Sequence, residues 1–169
     1  MPDWRGIFAD LGRQGVAIDP DCVPTSVGGG NISAAWRLSG SPQVFVKTGG
    51  PEAADMFVAE AEGLAEIAAS QTLRVPRVLA TGCSETHAWL ALEWLSLDRT
   101  SGNAGARLGE GLAAMHRVTQ ELHGWHRDNT IGSTPQANLQ CDDWCKFFRE
   151  RRLRPQFALA AANGFGGRL

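Results

Sequence analysis

No apolar run in this chain approaches the roughly 20 residues that a membrane-spanning helix needs, so no membrane partner is expected. The opening residues, Met1-Pro2-Asp3-Trp4-Arg5, place an acid early and have no apolar segment behind them, so no secretory leader is expected. Basic residues are not in excess. Sixteen Lys and Arg stand against 18 Asp and Glu, for a formal net charge of -2, which argues against a general nucleic-acid binder. The four cysteines, Cys22, Cys83, Cys141 and Cys145, contain no Cys-x-x-Cys pair. Cys141 and Cys145 are four apart, but no second His or Cys pair accompanies them, so no metal site is expected. Reduced thiols in a cytoplasmic protein are the expectation. Internal repeats and low-complexity tracts are also missing. What is present is 169 residues, 43% hydrophobic and 20% charged. That is enough for one ordinary domain, or one and a half small ones, with a sizeable core.

Two stretches organise the rest. Gly28-Gly29-Gly30-Asn31 puts three residues without Cβ in a row, so a ligand can approach the backbone closely and several N–H groups can aim at one anion. Val44-Phe45-Val46-Lys47-Thr48 reads as a strand bounded by Ser41-Pro42 and Gly49-Gly50-Pro51. Lys47 is the one cation in that apolar run. Glu60, thirteen residues on, falls within a helical pattern. The spacing predicts a Lys47–Glu60 ion pair that places the lysine on the phosphates of a nucleotide, beneath the glycine loop.

Taken in order, Asp3 to Gln14 predicts an amphipathic helix with Asp3 as N-cap and Trp4, Ile7, Phe8 and Leu11 on one face. Pro20–Val27 is a weak strand interrupted by prolines, and Ile32–Leu38 is a returning strand. With the Lys47 strand these make an antiparallel meander. Pro51–Ser70 is the clearest helix, with Phe57, Ala61, Leu64, Ile67 and Ala68 at helical spacing and Glu60 beside that stripe. Val75–Gly82 and Ala88–Leu95 are further strands. The second is apolar enough to be central in a sheet or pressed between two lobes, and Glu93 breaks it. A lobe boundary is placed at the polar segment from Ser96. The expected domains are therefore 1–96 and 97–169. A helix is predicted from Ala104 to Leu122, with His116 on its apolar stripe as a core histidine. A loop runs through 123–136, and Asp142 or Asp143 caps a last helix carrying Trp144, Phe147 and Phe148.

A meander with a glycine loop, a strand lysine, a helix glutamate and an apolar connection at Glu93, Trp94 and Leu95 resembles the small lobe of a protein-kinase-like fold. In such sites a glycine loop covers phosphates and a lysine–glutamate pair holds them. The connection would offer backbone groups to the adenine edge. Closer resemblance is to the fructosamine kinase (ketosamine-3-kinase) family. It is carried by Gly28-Gly29-Gly30-Asn31-Ile32-Ser33, by Val44–Lys47, by Phe57–Leu64, by Leu92-Glu93 and by Leu112–His116. It continues through Gly124-Trp125, Asp128-Asn129 with Ile131-Gly132, Pro135-Gln136 with Asn138, and Asp143-Trp144 with Phe147-Phe148. The segment from Gly124 to Asn138 is its most specific part.

The resemblance implies an α+β chain: a small lobe of about five antiparallel strands plus a helix, then the first helices of a helical large lobe. It implies ATP and Mg2+ as cofactors and a ketosamine substrate, either a small molecule or a glycated protein lysine. The implied ATP-binding residues are Gly28, Gly29, Gly30, Asn31, Lys47, Glu60, Glu93, Trp94 and Leu95. The family's His-Gly-Asp catalytic loop does not occur in these residues. The catalytic Asp is therefore expected beyond Leu169, and the chain is expected to be an N-terminal portion with little phosphoryl transfer of its own. His126-Arg127-Asp128 imitates a kinase His-Arg-Asp loop, but Ser133 stands where the following Asn should be, so Asp128 is read as a loop cap. Helices lacking their partners would expose apolar surface and favour association, including a homodimer. The competing expectations are a nucleotide-binding or dimerising pseudokinase module, or a kinase of another small molecule such as an aminoglycoside.

Overall fold

The structure, a computed structural model, describes residues 1–28, 32–97 and 102–167. Contacts divide the chain into two compact units, Met1–Val118 and Thr119–Leu169. The first opens with helix α1, Trp4–Arg13, and Asp3 caps it as its spacing predicts, its carboxylate accepting the Gly6 N–H at 3.1 Å. Strands β1 (Thr25–Val27), β2 (Ala34–Leu38), β3 (Val44–Gly49), β4 (Val78–Cys83) and β5 (Ala88–Glu93) form one antiparallel sheet in the order β1-β2-β3-β5-β4. Helix α2, Ala54–Ala69, follows β3 through a single 3-10 turn at Pro51–Ala53. Pro51 suits that entry because it has no N–H to leave unsatisfied. Beyond the helix's end Gln71 takes a left-handed φ of 55°, a common way to stop a helix.

Strand periodicity sorts the core into two layers. Val44, Val46 and Thr48 of β3 are buried on one face, while Phe45 and Lys47 are half-buried on the other. The first face, with Leu38, Ala80, Trp89 and Ala91, packs under Ile7 and Leu11 of α1. The second, with Ala88, Leu90 and Leu92, packs against Phe57 of α2. Strand β5 is buried from Ala88 to Leu92, as its apolar run implies for a strand paired on both sides. Trp89 fits because its cross-strand partner is Gly82: a Cβ there would stand within van der Waals overlap of the indole.

Several boundaries differ from expectation. The first strand keeps only Thr25–Val27, because Pro20 and Pro24 cannot donate to a ladder. The second begins at Ala34, and Ile32 is exposed. The strand expected over 75–82 begins only at Val78, after Pro76, and β5 stops at Glu93. Helix α3 spans Ala104–Met115 and does not reach Leu122. No α3 residue is buried, so little packing opposes its fraying. His116 is its exposed C-cap residue and not a core histidine.

In the second unit the expected loop contains a hairpin, β6 (Asn129–Ile131) with β7 (Thr134–Gln136). Gly132, at φ 62°, supplies the turn. Helix α4, Trp144–Phe148, is capped by Asp143, whose carboxylate accepts the Lys146 N–H at 3.0 Å. A π-type stretch, Arg149–Leu153, leads on into α5, Arg154–Ala162.

Candidate functional site

Lys47 and Glu60 meet. The lysine Nζ donates to both carboxylate oxygens, at 2.6 and 2.9 Å. The geometry follows from two periodicities. Lys47 alternates with Val46 and Thr48, so it faces the α2 side of the sheet. Glu60 lies one helical turn from buried Phe57, so it borders the packed stripe instead of facing solvent. The side chains are 28% and 31% exposed. The pair is thus fixed at the edge of the core with a side open to water.

An apolar slot of about 420 Å³ lies on the same unit, lined by Phe45, Pro76, Leu92, Glu93, Trp94, Leu95 and Leu97. Phe45 is two residues before Lys47 and shares its face, so the two strand positions are roughly 7 Å apart along β3. Trp94 and Leu95 belong to the slot although they lie beyond the strand. The Glu93 N–H donates to the Arg77 carbonyl at 2.8 Å and the Trp94 N–H to the Gln43 carbonyl at 3.3 Å. Leu95 N–H takes part in neither bond. The Glu93 carboxylate is also engaged, accepting from Arg74 Nη2 at 2.8 Å and from the Arg77 N–H at 3.3 Å. Glu93 is thus engaged through both its N–H and its carboxylate, and its side chain braces the entry to β4.

Of the glycine stretch, Gly28 follows β1 and is exposed, and Gly29, Gly30 and Asn31 lie outside the described residues. Phe45, Pro76 and Leu97 also line the slot, and sequence reasoning does not single them out. Only Phe45 carries a usable signal, its i−2 spacing from Lys47. An apolar slot with one cation near its end suits a flat base joined to an anionic tail. Among the described residues no group of three or more His, Cys, Asp and Glu is arranged to hold a metal ion.

The Gly124–Asn138 segment has a different part to play. Asn138, only 2% exposed, is its hub. Its N–H donates to Asp128 Oδ1 at 2.7 Å, and its side-chain amide donates to the Arg127 carbonyl at 3.0 Å and to Asn129 Oδ1 at 2.8 Å. Its Oδ1 accepts Arg152 Nη2 at 2.5 Å, and its carbonyl accepts the Trp125 N–H at 3.0 Å. Gln136 Nε2 joins at Asn129 Oδ1, 2.9 Å away. Arg152 also donates to the Ala137 carbonyl at 2.8 Å, and its guanidinium lies 4.6 Å from the Phe147 ring centroid. Burial lowers the Arg152 pKa. Gly124 is required because φ is 127° and a Cβ would stand 2.5 Å from the Asn138 carbonyl oxygen. Asp128 is thus a loop cap, as the sequence indicated.

Comparison with known proteins bears on both units. A family model described as fructosamine kinase matches residues 10–167. The chain is 45% identical over 137 residues to a Synechocystis protein named a probable ketoamine kinase, covering 80% of this chain and 46% of that one. To an Arabidopsis thaliana protein named protein-ribulosamine 3-kinase, chloroplastic, it is 39% identical over 139 residues, covering 80% and 42%. A crystal structure from Haemophilus somnus, named as that of a "putative fructosamine-3-kinase", aligns with a TM-score of 0.85 at 28% identity, over 95% of this chain and 55% of that one. The chain spans about half the length of the curated relatives it matches.

Proposed function

The chain belongs to the fructosamine kinase family, and from that premise we propose that it forms the nucleotide-holding part of an ATP-dependent ketosamine kinase. The observation that carries the reading is the Lys47–Glu60 pair beside the apolar slot. In this reading Lys47 holds the phosphates, Glu60 restricts the lysine's rotamers, and Gly28 to Asn31 cover the phosphates with backbone donors. The slot takes the adenine, with the Leu95 N–H the donor left for its edge. When bound, Mg-ATP would supply the γ-phosphoryl group for a sugar hydroxyl of a ketosamine, free or on a glycated protein lysine.

Accepting the hydroxyl proton needs a base. No His-Gly-Asp triplet occurs in the 169 residues. We place the base and the main metal ligand outside them, so the chain by itself positions nucleotide and transfers little. The lobe division at residues 96–97, the cytoplasm as compartment and association through exposed Leu108 and Leu112 of α3 belong to the same proposal. Among the described residues no helix is long and apolar enough to cross a membrane, and all four cysteines are unpaired.

Titrating the purified chain with Mg-ATP tests the reading. Saturable binding that is weakened in Lys47→Ala is expected, and absence of binding to the wild type would overturn it. Incubation with fructose-derivatised lysine tests the second part: measurable phosphorylation by these 169 residues alone would show that a base is present after all.

A further inference from the structure

We infer that Arg37 is a positioning residue for the base end of the slot, acting through Trp94. The inference rests on the nucleotide reading of that slot and adds a residue to it. On β2, Arg37 is opposite Phe45 and Ala35 is opposite Lys47. Opposed residues of antiparallel strands share a face, so Arg37 stands at the Phe45 end, two positions beyond the ammonium. Its guanidinium carbon lies 4.6 Å from the Trp94 ring centroid, well within cation–π range. The Trp94 ring is in turn 6.3 Å from that of Phe45 and tilted 40° to it.

Trp94 is past the end of β5. Gln43 joins the parts. Its side-chain Oε1 accepts Arg37 Nη2 at 3.0 Å, and its carbonyl accepts the Trp94 N–H at 3.3 Å. Arg37 Nε is buried with no hydrogen-bond partner among the described residues. A guanidinium swung into water would satisfy that donor, so the indole contact together with the Gln43 hydrogen bond keeps it in place. The wall that Trp94 gives the slot is therefore set from β2. Removing that support should weaken capture of the base and leave capture of phosphate unchanged.

Calorimetric titration of the 169-residue chain with adenosine, Mg-ATP and tripolyphosphate tests this. Arg37→Met keeps the stem and removes the charge. It should weaken adenosine and Mg-ATP each about five-fold, the size of a partly desolvated cation–π contact, with tripolyphosphate unchanged. Arg37→Lys, which restores a cation, should recover most of the affinity. Trp94→Leu should reproduce the weakening, and Arg37→Met should add nothing in that background. The inference is overturned if Arg37→Met leaves adenosine unaffected, if it weakens tripolyphosphate equally, or if its effect persists without Trp94. Should Arg37→Met fail to fold, Trp94→Leu alone decides, since unchanged adenosine binding there also overturns it. If the wild type binds neither adenosine nor Mg-ATP, the nucleotide reading itself fails and the inference falls with it.

Discussion

Replacing Lys47 by alanine separates a functional lysine from a structural one, and the structure sets the size of each effect. The pair is about 30% exposed on both sides, so water screens it and solvates whichever partner remains. Its contribution to folding is then about 0.5–1 kcal/mol, the range for ion pairs near a surface. For a chain of this size that lowers the melting temperature by roughly 1–4 °C. Depriving a bound phosphate of the same ammonium costs more, because hydrogen bonds to charged groups are worth about 1.5–3 kcal/mol. Each 1.4 kcal/mol is ten-fold in Kd, so Mg-ATP affinity should fall about 10- to 100-fold. Adenosine, which has no phosphate, should bind the variant as it binds the wild type. The assay is a thermal melt followed by calorimetric titration with both ligands. A melting temperature lowered by about 10 °C or more, with Mg-ATP binding intact, would refute the reasoning and make Lys47 part of the scaffold.

Glu60→Gln removes the partner charge but keeps a hydrogen-bond acceptor. Lys47 then regains rotamer freedom, and Mg-ATP should bind about five-fold more weakly, as measured by the same titration; tighter binding would mean that Glu60 merely competes with phosphate. Asn138→Ala should destabilise the second unit by about 3 kcal/mol, because Arg152, Asn129 and the Arg127 carbonyl lose a buried partner, while the backbone bond to Asp128 is kept. Hydrogen exchange should then accelerate across residues 123–153 and stay unchanged around β3. The Glu150 carboxyl is held below its ordinary value of 4.5 by the Arg149 hydrogen bond, with help from the Arg154 charge. A depressed carboxyl stabilises above its unfolded pKa and loses that contribution as pH falls through the folded one. The helix at 149–154 should therefore keep constant exchange protection from neutral pH to about 5 and lose a small part of it below 4.5, whereas Glu150→Gln should remove that acid step.

The elements around the site are legible where one local pattern dominates. Alternation through Val44–Thr48, the stripe at Phe57, Ala61 and Leu64, and the Asp3 cap each follow from covalent geometry and short-range spacing. Lys47 and Glu60 are legible for the same reason, since each sits at a defined phase of a regular element. The 123–136 segment reads as loop because its hairpin strands are three residues each, too short to show a period. Its order comes from Asn138, whose partners at Asp128 and Arg152 lie 10 and 14 residues away. His116 departs from its expected place because a stripe indicates which face is apolar, whereas burial depends on what packs there.

By itself, then, the chain determined its strand and helix phases, the faces carrying Lys47 and Glu60, and, through its motifs, its family. Tertiary structure alone decided that Arg37 stands over Trp94, that Phe45 and Leu97 share a slot, and that one asparagine organises the second unit. The reason is physical: dihedral preference and side-chain period act over a few residues, but register and packing join residues whose separation along the chain carries no information about their separation in space.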